Sequence, residues 1–237
     1  MLQVENVTVR FSGVVAVANV SLQVGELDLI GLVGPNGAGK TTLFNAISGL
    51  VRPRAGRIRF GGADVLRMPL HRRARLGIGR TFQIPQPMHE LTVRQNLHVA
   101  QRFGAGQVSR ERIDEILEFL HLADKADHDA ATDLTLSELK ALEVAKALVT
   151  EPRLLLLDEV LGGLETASKR RFMDTILAVR ERYKLGIIII EHDIETIMTL
   201  CQRVCVLNFG HLIADGTPDE VFHDPEVIKS YTGDVDA

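Results

Sequence analysis

The order of hydrophobic and polar positions along the chain predicts an α/β protein. At the start, "LQVENVTVRF" and "ANVSLQV" alternate apolar and polar residues, which predicts two half-exposed antiparallel strands. "ELDLIGLVG" is a more continuous apolar run, as expected of a buried central strand. It leads through a glycine-rich turn into an apolar helix, "KTTLFNAISGL".

A helical pattern follows the next predicted strand, "IGRTFQ", and runs from about residue 92 to residue 148. Its helices are "VRQNLHVAQRF", "SRERIDEILEFLHL" with Ser109 as N-cap, and "ELKALEVAKAL". Beyond them strands and helices alternate again, in the order "RLLLLD" (strand), "TASKRRFMDTILAVRERY" (helix), "GIIIIEH" (strand) and "VCVLNFG" (strand). The tail holds two short helical turns that begin near Pro218 and Pro225. This order predicts a parallel α/β core that a helical insertion interrupts.

Composition narrows the class of protein. Hydrophobic content of 46% and charged content of 24% are ordinary globular values. The net charge of -4 argues against a nucleic-acid binder that depends on a general positive surface. One basic stretch, residues 67–80, is predicted to be a solvated helix face, with contact to phosphates or lipid headgroups as the alternative.

The cysteines and the apolar runs indicate a protein that stays inside the cell. Cys201 and Cys205 are interpreted as buried thiols rather than as a bridge or a metal site. No apolar run reaches the length of about 18 residues needed to cross a bilayer. Polar residues interrupt the N-terminus at once, so it has no signal-peptide pattern.

Residues 34–41, "GPNGAGKT", fit the phosphate-binding pattern GxxxxGK[ST]. Glycines let the backbone N–H groups point at a phosphate, and the helix that begins near Gly39 adds its positive end. Lys40 supplies a full charge to the β- and γ-phosphates, and Thr41 offers a hydroxyl to Mg²⁺. A glycine-rich turn with a chance lysine is the alternative, but the position between an apolar strand and a helix favours the phosphate site.

"LLLLDE", residues 154–159, predicts a second part of the same chemistry. The apolar strand ends at Asp158, and ligands of open α/β sheets collect at the carboxyl ends of strands. Asp158 is therefore expected to hold Mg²⁺, directly or through water. Glu159 is expected to orient and deprotonate an attacking water. A solvated Asp-Glu pair after a core strand is the alternative.

With these motifs the chain resembles, over almost its whole length, the ATP-binding cassette subunits of ABC transporters. The resemblance implies an α/β P-loop NTPase fold with a mixed-sheet core, an N-terminal antiparallel β subdomain and a helical subdomain insertion. It implies one ATPase domain over 1–237, with a nucleotide-binding core at 1–91 and 149–237 and the helical subdomain at 92–148. The implied cofactors are ATP and Mg²⁺.

The resemblance also assigns roles to particular residues. Gln83 in "GRTFQIPQP" would touch Mg²⁺ and the attacking water, and His192 in "IIIIEHD" would contact the γ-phosphate. The loop "LGGLE", residues 161–165, would meet the opposite subunit. Phe11 would stack on adenine with Val17 on the same face of the base. The full set expected to contact ATP is Phe11, Val17, Gly34, Pro35, Asn36, Gly37, Ala38, Gly39, Lys40, Thr41 and Thr42, and the set expected around the metal is Thr41, Gln83 and Asp158.

One motif departs from the family pattern, which is LSGGQ ahead of a helix. Counting back without gaps puts "LTLSE", residues 134–138, in that slot. Thr135 then replaces the serine, Leu136 and Ser137 replace the glycines, and Glu138 replaces the glutamine. A frame shifted by two, "LSELK", restores Leu-Ser but moves the helix out of register. In the family such a loop contacts the ATP of a partner cassette, so we expect full catalysis on this chain's own Lys40 if the partner's signature is intact, and slower catalysis at the other site.

Two longer stretches of the sequence resemble one group of subunits within this family. "RLGIGRTFQIPQPMHELTVRQNL" and "GHLIADGTPDEVFHDPEVIKSYTG" resemble the ATPase subunits of branched-chain amino acid importers, although similar cassettes serve urea, amides and other small solutes. The implied partners are a second cassette (identical or a sibling), transmembrane permease subunits and a periplasmic or extracellular solute-binding protein, with no nucleic acid. The implied location is the inner face of the cell membrane. A non-transport cassette of translation or DNA repair, and a P-loop small-molecule kinase, are the alternative functions.

Overall fold

The computed structural model describes residues 1–232 and divides the chain into two compact units. Unit 1 combines Met1–Leu70 with the chain from Gly186 onward, and unit 2 is His71–Leu185. Gly233, the last residue of the C-terminal stretch quoted above, lies outside the described residues.

The secondary structure alternates as the sequence pattern predicts. In chain order the elements are β1 (Leu2–Phe11), β2 (Val14–Val24), β3 (Leu29–Val33), α1 (Lys40–Ser48), β4 (Ala55–Phe60), β5 (Ala63–Asp64), α2 (Leu70–Arg75), β6 (Ile78–Arg80), α3 (Val93–Gly104), α4 (Arg110–Phe119), a short 3-10 helix (Ala123–Lys125), α5 (Leu136–Leu148), β7 (Leu154–Asp158), α6 (Thr166–Tyr183), β8 (Gly186–Ile190), α7 (Ile194–Leu200), β9 (Arg203–Asn208), β10 (His211–Gly216), α8 (Pro218–Phe222) and α9 (Pro225–Thr232).

The first sheet of unit 1 is antiparallel, in the order β2-β1-β4-β5. The two strands predicted from alternation at the N-terminus pair with each other, from Leu2 opposite Val24 to Phe11 opposite Val14. Buried and exposed residues alternate along much of β1, because one face of the strand packs on apolar side chains and the other meets water.

The second group of strands in unit 1 is mainly parallel. β3 lies between β8 and β9 and runs parallel to both, while β10 pairs antiparallel with β9. Every residue of β3 and β8 is buried, as expected of strands covered on both faces. Helix α7 and strand β10 were not among the predicted elements.

Unit 2 contains a parallel strand pair and most of the helices. β6 pairs with β7, with Arg80 opposite Leu156. Helix α3 begins at Val93 and helix α5 ends at Leu148. These bounds agree with the helical pattern found from about 92 to 148. The Ser109 side chain accepts a hydrogen bond from the N–H of Arg112, so Ser109 is the N-cap of α4 as predicted.

Two of the smaller expectations have different outcomes. Cys201 and Cys205 are buried free thiols as predicted, and burial raises the pKa of each to about 12, which disfavours the thiolate. The basic stretch is only partly a solvated face. Arg73 is 1% exposed, so that expectation is wrong for the inward side of α2.

Among residues 1–232, no helix combines the length and the apolar character that crossing a membrane requires.

Candidate functional site

The predicted phosphate loop of unit 1 joins the buried strand β3 to helix α1. Glycine is required at two of its positions for steric reasons. A Cβ on Gly34 would lie 2.0 Å from the carbonyl oxygen of Leu207, and a Cβ on Gly39 would lie 2.3 Å from that of Ala16. Both residues also have positive φ, 142° and 104°. The loop can therefore follow this path only with glycine at both ends.

The side chain of Lys40 folds back over the phosphate loop. Lys40 is 6% exposed, and its Nζ donates hydrogen bonds to the carbonyl oxygens of Gly34 at 2.7 Å and Pro35 at 2.9 Å. Gly39 caps α1 and brings no side-chain acceptor to the first turn. A fixed ammonium group beside the positive end of a helix is the arrangement that binds phosphate.

The other predicted ATP-contact residues of unit 1 differ in exposure. Phe11 ends β1 with 46% of its surface exposed, so its ring is available for stacking. Val17 is fully buried, and its Cγ2 lies 3.5 Å from the point where a Cβ on Gly39 would stand. Val17 thus packs behind the loop in this structure. Asn36, Gly37 and Thr41 are exposed on the loop and the first turn of α1.

His192 lies in unit 1, two residues after the buried strand β8, and it is exposed. The next residue, Asp193, is the N-cap of α7, and its Oδ2 accepts a hydrogen bond from the Thr196 hydroxyl at 2.6 Å. The strand end and the start of α7 therefore fix the backbone on both sides of the histidine.

In unit 2, Asp158 ends a strand of five buried residues. Its Oδ2 accepts a hydrogen bond from Nη2 of Arg80 at 3.1 Å, and its backbone N–H donates to the Thr81 hydroxyl, also at 3.1 Å. Both charged side chains are almost fully buried, with 5% of Arg80 and 3% of Asp158 exposed. Burial lowers the pKa of Arg80, while the neighbouring Asp158 carboxylate acts in the opposite direction.

Glu159 is held through both its side chain and its backbone. Nε2 of Gln83 donates to Oε2 of Glu159 at 2.6 Å, so the structure brings these two predicted catalytic residues together. Nζ of Lys140 in α5 donates to the backbone oxygen of Glu159 at 2.9 Å. The backbone of Glu159 is left-handed, with φ of 50°. Such a conformation costs free energy in a non-glycine residue and is found more often at functional positions.

The predicted signature stretch forms the start of α5. Thr135 is the N-cap, and Leu136 is the first helical residue. The Glu138 carboxylate accepts hydrogen bonds from the N–H and the hydroxyl of Thr135, each at 2.7 Å. Ser137 lies on the same turn, with its Oγ 3.2 Å from that of Thr135. The stretch therefore begins a helix, and the Glu138 carboxylate is hydrogen-bonded to the cap residue of that helix.

Sequence reasoning did not identify Arg80 or Lys140 as residues that hold the carboxylates. Arg80 gave one usable signal, because a charged residue follows the stretch "LGIG" within the predicted strand "IGRTFQ". Its position opposite Leu156 in the β6–β7 register shows why it reaches Asp158. Lys140 gave none, since a lysine on a helix is usually solvated.

Comparison with known proteins identifies the family. Residues 17–162 match the family model of the ABC transporter, and residues 211–237 match the model of the branched-chain amino acid ATP-binding cassette transporter. The chain belongs to the ABC transporter family of ATP-binding cassettes. This ATPase is 36% identical to the high-affinity branched-chain amino acid transport ATP-binding protein BraF of Pseudomonas aeruginosa, over 99% of this chain and 98% of that protein.

This cassette is also similar to an export protein in sequence and to a solved cassette in structure. It is 34% identical to the lipopolysaccharide export system ATP-binding protein LptB of Haemophilus influenzae, over 99% of this chain and 98% of LptB. The ADP conformation of MJ1267, an ATP-binding cassette of an ABC transporter, has a TM-score of 0.90 and 29% identity, covering 98% of both chains. The cassette therefore has the P-loop ABC fold and binds a nucleotide.

Proposed function

We propose that this cassette is the ATP-hydrolysing subunit of an importer of branched-chain amino acids or related small solutes. Overall identity does not select the solute, because BraF at 36% and the export protein LptB at 34% are nearly equally similar. The match of residues 211–237 to the branched-chain amino acid cassette model is the single observation that carries the choice.

We infer the partners from the transport systems that the relatives are named for. This cassette pairs with a second cassette, identical or a sibling, and binds transmembrane permease subunits. A periplasmic or extracellular solute-binding protein delivers the solute. The cassette then lies on the cytoplasmic side of the membrane, held there by the permease.

ATP binding is assigned to residues 34–42, with the adenine on the exposed ring of Phe11 and with Val17 packed behind the loop. The loop geometry supports this assignment, because two sterically required glycines fix the backbone and Lys40 is held over it. The ammonium group of Lys40 neutralises the β- and γ-phosphates, and the first turn of α1 supplies N–H donors.

Magnesium is assigned to Thr41, Asp158 and Gln83. Their hydroxyl, carboxylate and amide oxygens are the hard ligands that Mg²⁺ prefers. Within residues 1–232 there is no group of three or more His, Cys, Asp or Glu that could hold a metal ion by itself. Mg²⁺ bound to a nucleotide does not need one, because phosphates and water complete its shell. When bound, Mg²⁺ neutralises negative charge on the phosphates.

Proton transfer is assigned to Glu159, whose carboxylate accepts a proton from the attacking water. Gln83 holds this carboxylate at 2.6 Å and keeps it oriented until water and nucleotide are in place. His192 and Lys40 stabilise charge on the terminal phosphoryl group. Thr135, Leu136, Ser137 and Glu138 of this cassette contact the ATP that the second cassette holds.

The ATPase assignment is tested with Glu159→Gln in the cassette reconstituted with its partner. Turnover is expected to fall by about 100-fold while ATP binding is kept, because the amide cannot accept the proton from water. Glu181→Gln, an exposed glutamate of α6, is the matched control and should leave turnover unchanged. Substantial turnover in Glu159→Gln would show that Glu159 is not the base.

The solute assignment is tested by uptake. Vesicles that contain the cassette, its permease and its binding protein should accumulate radiolabelled leucine, isoleucine or valine when ATP is inside, and vesicles with Glu159→Gln should not. ATP-dependent uptake of urea or an amide without uptake of these amino acids would show that the solute assignment is wrong. ATP-dependent export would show that the proposed direction of transport is wrong.

A further inference from the structure

We propose that Arg80 is a resident counter-ion of Asp158 with which a divalent cation must compete, so that Arg80 sets the Mg²⁺ concentration needed for nucleotide binding. The inference rests on the proposed function, because it takes Asp158 as a magnesium ligand. It adds a positioning residue that the phosphate-binding and catalytic motifs do not include.

The geometry makes Arg80 part of the carboxylate's immediate surroundings. Arg80 ends β6 and Asp158 ends β7, two strands paired in parallel, and Nη2 lies 3.1 Å from Oδ2. With 5% and 3% of the two side chains exposed, water screens this ion pair far less than it screens a surface pair.

The pair is also fixed on both sides. The guanidinium carbon of Arg80 lies 5.1 Å from the centroid of the Phe82 ring, within the range of a cation–π contact. The Thr81 hydroxyl accepts the backbone N–H of Asp158 at 3.1 Å. Three consecutive residues, 80–82, therefore hold Arg80 and Asp158 in register.

Electrostatics gives the direction of the effect. A buried carboxylate needs a positive partner, and Arg80 supplies one before any metal arrives. A divalent cation on the same carboxylate is repelled by the guanidinium and competes with it for the negative charge of Asp158. Removing the guanidinium should therefore make Asp158 a stronger magnesium ligand and the metal-free protein less stable.

The experiment uses the purified full-length chain and Arg80→Met, which keeps an unbranched apolar stem. Binding of mant-ATP is followed by fluorescence while Mg²⁺ is titrated, and thermal unfolding is measured in EDTA. The half-saturating Mg²⁺ concentration is expected to fall about tenfold, the factor associated with one charge-assisted hydrogen bond. The melting temperature in EDTA should fall. An unchanged or higher half-saturating Mg²⁺ concentration would overturn the inference.

The chain offers a matched control. Arg203 and Asp215 form another Arg–Asp pair, at 2.5 Å, between β9 and β10. Arg203→Met should leave the Mg²⁺ titration unchanged. If Arg80→Met does not fold, Arg80→Lys serves instead, because lysine keeps the charge but loses the forked hydrogen-bond geometry. A smaller shift in the same direction supports the inference, and no shift or the reverse shift contradicts it.

Asp158→Asn separates this inference from the proposed function. If Asp158→Asn keeps the Mg²⁺ dependence of the unmodified chain, Asp158 is not the metal ligand and the metal assignment itself fails. If Asp158→Asn loses that dependence while Arg80→Met leaves it unchanged, the metal assignment stands and only the role of Arg80 fails.

Discussion

Helices α1 and α5 both begin at residues assigned to nucleotide contact, but their first turns differ. The cap of α1 is Gly39 in a left-handed conformation, with no side-chain acceptor. The cap of α5 is Thr135 in an extended conformation, and Thr135 and Glu138 hydrogen-bond each other's backbone N–H groups. The start of α1 is open to an anion, whereas the start of α5 carries an anion of its own.

A third helix shows that the charge at α5 is not needed for capping. Helix α3 has the same capping box, formed by Thr92 and a neutral glutamine, Gln95. The amide accepts the N–H of Thr92 at 2.8 Å, close to the 2.7 Å of the Glu138 carboxylate with Thr135. A helix start can therefore be satisfied without a negative charge, and the extra charge at Glu138 opposes an incoming phosphate.

The largest expected effect is a loss of ATP turnover when the charge at the start of α1 is removed. Lys40→Met removes the ammonium group that lies over the phosphate loop, and ATP turnover should fall by about 100-fold or more because the β- and γ-phosphates lose the charge that neutralises them. Turnover and mant-ATP binding are measured on the same preparation. Lys184→Met, at the exposed lysine that is the C-cap of α6, is the control. Near-normal turnover in Lys40→Met would refute the assignment of this loop.

The next effect is on stability and tests why α1 begins with glycine. A Cβ at Gly39 would lie 2.3 Å from the Ala16 carbonyl oxygen, whereas a Cβ at Gly37 would meet nothing within 4 Å. Gly39→Ala should lower the free energy of unfolding by about 3 kcal/mol, and Gly37→Ala by about 1 kcal/mol from its positive φ alone. Urea unfolding measures both. Equal losses would show that φ, and not the close approach, determines the cost.

Features encoded by neighbouring residues could be predicted from the sequence. The phosphate loop depends on glycines and a lysine within eight residues, and Asp158 ends a run of four leucines. Contacts between residues far apart in the sequence could not. Arg80 reaches Asp158 across 78 residues, and Lys140 reaches the Glu159 carbonyl across 19.

The missed elements have weak local patterns for the same physical reason. Helix α7 has seven residues, too few to show a helical period clearly, and β10 has no buried residue. The buried Arg73 was missed because a run of arginines looks like a solvated face, although one side of α2 points inward.

A smaller change in turnover is expected when the carboxylate at the start of α5 is neutralised, which tests the difference between α5 and α1. Glu138→Gln keeps the capping geometry seen at Gln95 but removes the charge, so turnover of the reconstituted pair should rise by about two- to fivefold. Glu220→Gln changes the same kind of capping box at α8, formed with Thr217, and should have no effect on turnover. Unchanged or lower turnover in Glu138→Gln would mean that the carboxylate does not oppose the partner's ATP.

The smallest effect is a pH dependence of stability from the same carboxylate. Partial burial raises the pKa of Glu138, but the hydrogen bonds from Thr135 outweigh it and the net pKa is lowered. Because the folded pKa lies below the unfolded value of about 4.3, this stabilisation is present above that pH and is lost as the pH falls through the folded pKa. The difference in melting temperature between the unmodified chain and Glu138→Gln should therefore shrink from neutral pH to about pH 3. A difference that grew on acidification would contradict the ionised cap, and with it the charge that distinguishes α5 from α1.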